Sequence, residues 1–260
     1  MKWFYSKKYP LALLTIFIIF WIFTAINPKY PSDFILENVL TFIFVPLLIF
    51  TYRRFQLSHL SYTLIFIFMV LHSIGAHYTY AEVPYNEWSM ALFGTTINEL
   101  FGFSRNHYDR LVHFSFGLLL AYPIREVFMR IAYVKGFWAY YLPFDVTAAF
   151  SMAYELIEWI VALIFGGELG MAYLGTQGDI WDAHKDMALA VSGALISMSV
   201  VAFYNYRYKE NFVQDFGKSF SVKRKRPLGE VELQIMKRKN GKIQIESFKV
   251  KKDKTITKKK

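Results

Sequence analysis

The chain has 260 residues, 55% of them hydrophobic, including 26 Phe, 18 Tyr and 6 Trp. This is too apolar for an ordinary soluble domain and points to a membrane protein. It contains no cysteine, which excludes disulfides, thiol nucleophiles and Cys-ligated zinc or iron–sulfur sites. The net charge of +10 belongs to one end: residues 207–260 carry 18 Lys/Arg against 6 Asp/Glu, whereas residues 1–206 carry 12 against 14.

In chain order, six apolar stretches can cross a bilayer, which takes about 20 helical residues. They are Leu11–Ile26, Phe34–Phe50, Leu60–Tyr80, Tyr108–Ile131, Tyr141–Phe165 and Met187–Tyr206. The first follows Lys2, Lys7 and Lys8 and lacks a good small-x-small cleavage site, so it reads as an uncleaved span. The first two are short, and the second carries Glu37, Asn38 and Pro46, which leaves a two-helix re-entrant hairpin as the alternative there. The expected fold is an all-α polytopic membrane protein with a six-helix domain over residues 1–206.

The loops orient this bundle through the positive-inside rule. Basic residues mark the N-terminus, the second loop (Arg53, Arg54), the fourth (Arg125, Arg130, Lys135) and the tail. The alternate loops are acidic or nearly neutral, so both termini are expected inside. The tail, 207–260, is read as a basic cytoplasmic appendage with a β-hairpin at 231–248. There two alternating runs flank Lys239-Asn240-Gly241-Lys242. Its lysines and arginines suit anionic lipid headgroups, or form only a solvated face; nucleic acid is not an expected partner.

With that orientation, acids and imidazoles from four segments fall at one leaflet depth. His77 ends the third span, and His107, Asp109 and His113 start the fourth. Glu155 and Glu158 lie in the outward half of the fifth. Asp179, Asp182, His184 and Asp186 lead into the sixth. Asp109 and His113, Glu155 and Glu158, and Asp182 and Asp186 each share a helix face. Carboxylates and imidazoles on facing helices are how helix bundles hold metals, and in lipid they also serve as proton or ion paths.

Blander readings exist for several of these residues. Asp109 next to Arg110 fits an ion pair at a helix start, His72 a hydrogen-bonded core histidine, His59 a loop residue and Asp145 a helix cap. Glu155 and Glu158 resist this best, because two carboxylates in an apolar helix repel unless protonated or bound to a cation.

Three motifs carry a family resemblance. They are Phe101-Gly-Phe-Ser-Arg-Asn-His-Tyr-Asp-Arg-Leu-Val-His-Phe, Tyr154-Glu-Leu-Ile-Glu-Trp and Gly175-Thr-Gln-Gly-Asp-Ile-Trp-Asp. Together they resemble the YjdF-like family of bacterial inner-membrane proteins, over roughly residues 10–205. That resemblance implies a multi-pass inner-membrane protein but no particular activity. A looser likeness is to VanZ-like proteins, through Asp109-Arg110 with His113-Phe114, Glu155 with Glu158, Asp182 with Asp186, and Gly193. Glu158 and Asp186 stand where that family prefers amides, and Leu189 where it has a glycine, which makes this site more acidic.

The functional expectation is a metal-dependent enzyme acting on a lipid or cell-envelope intermediate at the outer leaflet. Asp109, His113, Glu155, Glu158, Asp182 and Asp186 form its catalytic set. His77, His107, Asp179 and His184 join them as candidate ligands for Zn, Mn, Mg or Fe. The alternatives are a non-catalytic membrane scaffold and a proton- or cation-coupled transporter. No internal repeat favours the latter.

Overall fold

The computed structural model describes residues 8–167, 170, 174–222, 227–229 and 231. Among the described residues the chain is helical and contains no strand. Its helices are α1 (Lys8–Thr24), α2 (Pro31–Tyr52), α3 (His59–Tyr78), α4 (Tyr85–Phe93), α5 (Ile97–Phe101), α6 (Tyr108–Ile131), α7 (Trp138–Phe165), α8 (Asp182–Tyr208) and α9 (Phe212–Lys218). Helices α2, α3, α6, α7 and α8 are long and apolar enough to cross a membrane, and α1 is a shorter apolar helix of 17 residues. Their outward faces carry large apolar side chains such as Phe42, Phe50, Leu163 and Phe203. This is expected where the surrounding solvent is lipid rather than water.

Helix α6 is the hub and packs against α3, α7 and α8. Its crossing with α8 is unusually close, because glycines face backbone on both sides. A Cβ at Gly117 would overlap the carbonyl oxygen of Ala190, and one at Gly193 would overlap that of Phe114. With lipid outside there is little hydrophobic drive between helices, so small residues that let backbones meet supply the packing energy. Ala121, Ala190 and Ala194, all without measurable exposure, extend the stripe. At the other end of α6, Arg125 lies buried over the Tyr140 ring.

Local signals explain several helix ends. Ser58 caps α3 by accepting from the Ser61 N–H. Glu126 of α6 accepts from the Ser58 N–H (2.9 Å) and the Ser61 hydroxyl (2.6 Å), which fixes the start of α3 to α6. Thr96 and Glu99 form a capping box on α5, and Gly94 and Gly102 close α4 and α5 in the left-handed conformation.

Several expectations change here. Helix α2 runs unbroken through Pro46 over 22 residues. Asp145 sits two turns inside α7, which begins at Trp138, and is not a cap. Arg125 and Arg130 lie within α6 and not in a loop. His59 is the first residue of α3, half-buried and stacked on Tyr9 at 4.7 Å. Helix α8 continues to Tyr208, and the compact unit runs to Phe220. The reason is α9, which returns to the start of α7: the Phe137 N–H donates to Ser219 Oγ, and the Trp138 indole to the Ser219 carbonyl. Of the expected hairpin at 231–248 only Val231 is described, in a helical turn donating to Pro227; the rest lies outside the described residues.

Candidate functional site

The small-residue stripe between α6 and α8 leads directly into the acidic site. On α6, Asp109, His113 and Gly117 recur every fourth residue. On α8, Asp182, Asp186 and Ala190 do the same, so both series share the faces that touch. Oxygens of Asp109, Asp182 and Asp186 all lie within 4.8 Å of one another. Asp182 and Asp186 are 3% and 2% exposed. One oxygen of Asp186, Oδ1, is buried with no hydrogen-bond donor. An unsatisfied carboxylate oxygen is costly to bury, so this one is notable.

Helix α7 closes the pocket. Its Glu155 Oε1 and Asp109 Oδ1 each stand 3.5 Å from His113 Nε2, charge-pair range rather than hydrogen-bonding range. Glu155 Oε1 also has no donor. Glu158, one turn on, is buried and lies within electrostatic reach of Asp109, Glu155 and Glu37.

Glu37, a polar break in the second apolar stretch, also belongs beside the site. It is buried on α2 and accepts from the Tyr154 hydroxyl at 3.1 Å, while the Tyr154 ring lies edge-on to His113. Asp33, one turn before it, is buried and accepts from Thr79. The usable signal was Asp33 and Glu37 at i,i+4 in an otherwise apolar segment. Tyr80, in the short turn after α3, has its phenol pKa pushed well up by burial, then by Glu37 and Asp109. Its hydroxyl shares a hydrogen bond with His72 Nδ1, as a core role for that histidine requires.

Above the acids lies a charged mouth. Arg105 pairs with Asp182 and donates to the Thr176 carbonyl. Arg110 reaches Asp179 at 2.6 Å and Asp182 at 3.4 Å, so its partners are these and not the neighbouring Asp109. Lys185 also binds Asp179 at 2.6 Å. The Lys185 hydrogen bond, followed by the Trp181 N–H, holds the Asp179 carboxyl well below the usual range. The Asn106 N–H donates to Gln177 Oε1, and Gln177 Nε2 donates back to the Asn106 carbonyl, joining the two mouth loops. Gly175, at φ +62°, roofs Asp109: a Cβ there would stand 3.8 Å from Asp109 Oδ2.

The remaining candidates stay outside the pocket. His77 Nδ1 donates to the Thr24 carbonyl at 2.7 Å, which ties α3 to the end of α1. His184 is exposed and packs edge-on against Trp181. His107 stacks on Phe103 and lies 3.4 Å from Arg110 at the rim; burial, then Arg110 and Arg105, lowers its pKa. Asp179 faces the cations rather than the other acids. The structure therefore brings together Asp109, His113, Glu155, Glu158, Asp182 and Asp186, adds Glu37, and leaves His77 and His184 apart.

Residues 9–207 match the family described as predicted membrane protein (DUF2238). The chain is 39% identical over 192 residues to the inner membrane protein YjdF of Escherichia coli (strain K12), covering 74% of this chain and 88% of that protein. No solved structure matches. The match spans every helix that builds the pocket, and the chain belongs to the DUF2238 family of predicted membrane proteins.

Proposed function

We propose that this protein is a multi-pass inner-membrane enzyme that holds a divalent cation among Asp109, Asp182 and Asp186 and acts on a lipid or envelope intermediate. The observation that carries this reading is the donorless, buried Oδ1 of Asp186 inside a group of converging carboxylates. A cation would satisfy that oxygen and offset charges that are otherwise expensive at this depth. Asp182 can keep its arginines on Oδ1 and offer its second oxygen. His113 and Glu155 stand next to the ligands, placed to hold or accept a proton. An oxygen-rich set with one imidazole suits Mn, Fe, Mg or Zn, and such an ion supplies an activated water for hydrolysis.

The same reading takes α1 as a sixth span, with both termini inside. The pocket then opens on the outer leaflet, and the basic segment after Arg207 meets anionic headgroups on the inner one. An amphipathic substrate follows from that depth.

Elemental analysis of the purified full chain, loaded in turn with Mn, Fe, Mg and Zn, tests the proposal. About one ion per chain is expected in wild type, with loss in Asp186→Asn and retention in Asp145→Asn. If no cation binds in a manner that depends on Asp186, the reading is wrong.

A further inference from the structure

Between α3 and α6, the α4–α5 hairpin exposes an apolar face that the site does not use. Leu92 and Phe93 are 74% and 78% exposed, and Leu100 and Phe101 are 68% and 65% exposed. Trp88 and Met90 are exposed beside them. Several polar groups of the same segment are engaged within it or with the loop that follows, while its two carboxylates, Glu87 and Glu99, are exposed. The Tyr85 hydroxyl donates to Asn98 Oδ1, the Asn98 N–H to Asn86, Asn98 Nδ2 to the Arg105 carbonyl, and Ser89 to the Thr95 carbonyl. The hairpin is thus held by its own polar contacts while its large apolar side chains stay uncovered.

We infer that the α4–α5 hairpin lies within the leaflet at the carboxylate end of the bundle and forms the side portal through which a membrane lipid reaches the pocket. This rests on the enzymatic reading for its substrate but not for its geometry.

Four observations single out bilayer lipid as the occupant. The hairpin joins the ends of two membrane-crossing helices, α3 and α6, so the nearest apolar phase is the bilayer itself. Residues 83–104 contain no Lys or Arg and only Glu87 and Glu99 as charges. At nine residues α4 is about 14 Å long, too short to span, and an in-plane helix buries its apolar face by about 5–10 Å. Across the mouth, Ile180 (85% exposed) and Trp181 (57%) present a second apolar lip at the start of α8.

The hairpin also connects to the site. Phe101 stacks on Phe103 (5.5 Å, 18°), and Phe103 stacks on His107 (4.0 Å, 9°). His107 touches Arg110, which binds Asp179 and Asp182. An acyl chain following this ladder of rings would deliver an anionic headgroup to Arg105, Arg110 and Lys185, directly above the carboxylates.

The absence of cysteine makes the test direct, since any introduced cysteine is unique. Spin labels at Leu92→Cys, Phe93→Cys and Phe101→Cys in liposomes report oxygen against water-soluble nickel-chelate collision. Leu195→Cys on α8 serves as the lipid-facing reference and Glu210→Cys as the aqueous one. Labels at 92, 93 and 101 should group with position 195; grouping with position 210 overturns the inference. In a second arm, a lipid with a photoreactive acyl chain should label the peptide spanning 88–103. One with a photoreactive anionic headgroup should label 105–110, and Leu92→Lys/Phe93→Lys should reduce both at least five-fold. Failure of headgroup labelling at 105–110, with the hairpin embedded, overturns the portal. Neither arm requires a metal, so a negative elemental analysis leaves these outcomes independent.

Discussion

Gly117 of α6 lies directly against the Ala190 carbonyl of α8, with no room for a side-chain carbon between them. Two turns along the same faces stand Asp109 and Asp182, so the glycine contact sets the spacing of the carboxylates. Gly117→Ala must push two backbones apart, and neither can yield cheaply. We expect a loss of at least about 1–3 kcal/mol and a fall in bound cation, although no ligand is removed. Gly217→Ala, in α9 with nothing near its Cβ position, should change neither. Thermal unfolding in detergent and elemental analysis of the two variants check this.

Asp182 and Asp179 share the same arginines but differ in burial, with side chains 4% and 17% exposed. Asp182→Ala takes from Arg105 its nearest carboxylate and leaves both arginines only Asp179 to pair with; breaking a buried pair outright costs about 3–5 kcal/mol, which is the upper limit here. Asp179→Ala removes a better-solvated partner, and its effect should be smaller. Denaturation of both variants gives the ordering; equal losses would contradict it.

His107 gives the mouth a pH dependence with a definite sign. Its folded pKa is lowered, so the unfolded chain binds the extra proton first. Its contribution is fully present above the unfolded value of about 6.5 and declines as pH falls through that value toward the folded pKa. Wild type should lose stability between pH 7 and pH 5 more steeply than His107→Gln, as read by melting temperature against pH. Parallel curves would refute the assignment.

The return of α9 onto α7 predicts where the chain can be cut. Ending it after Ser221 keeps the Ser219 hydrogen bonds and the Phe137 contacts with Phe216 (5.6 Å) and Phe220 (5.0 Å). Ending it after Tyr208 removes all of them, a loss of about 2–4 kcal/mol from two hydrogen bonds and the ring pairs. Melting temperatures of the two truncations decide it, and equal values would show that α9 does not support the bundle.

Hydropathy alone identified the long helices, because a bilayer demands long apolar runs whose backbone bonds close within each helix. The i,i+4 spacing of Asp109 with His113 and of Asp182 with Asp186 was equally legible, since it needs only the helical period. Which faces meet was not written in that period. The glycines at 117 and 193 acquire meaning only when two backbones approach, and that contact selects Asp109, Asp182 and Asp186 as one group. Arg110 turned to Asp179, far along the chain, because the folded mouth offers a better-placed carboxylate than its neighbour in sequence. Glu37 joined the pocket through Tyr154, a contact across more than a hundred residues. His77 and His184 shared the expected depth but point elsewhere, since depth along a helix says nothing about rotation around it. Local periodicity therefore determined the elements and the candidate acids, and helix packing decided which of them face one another.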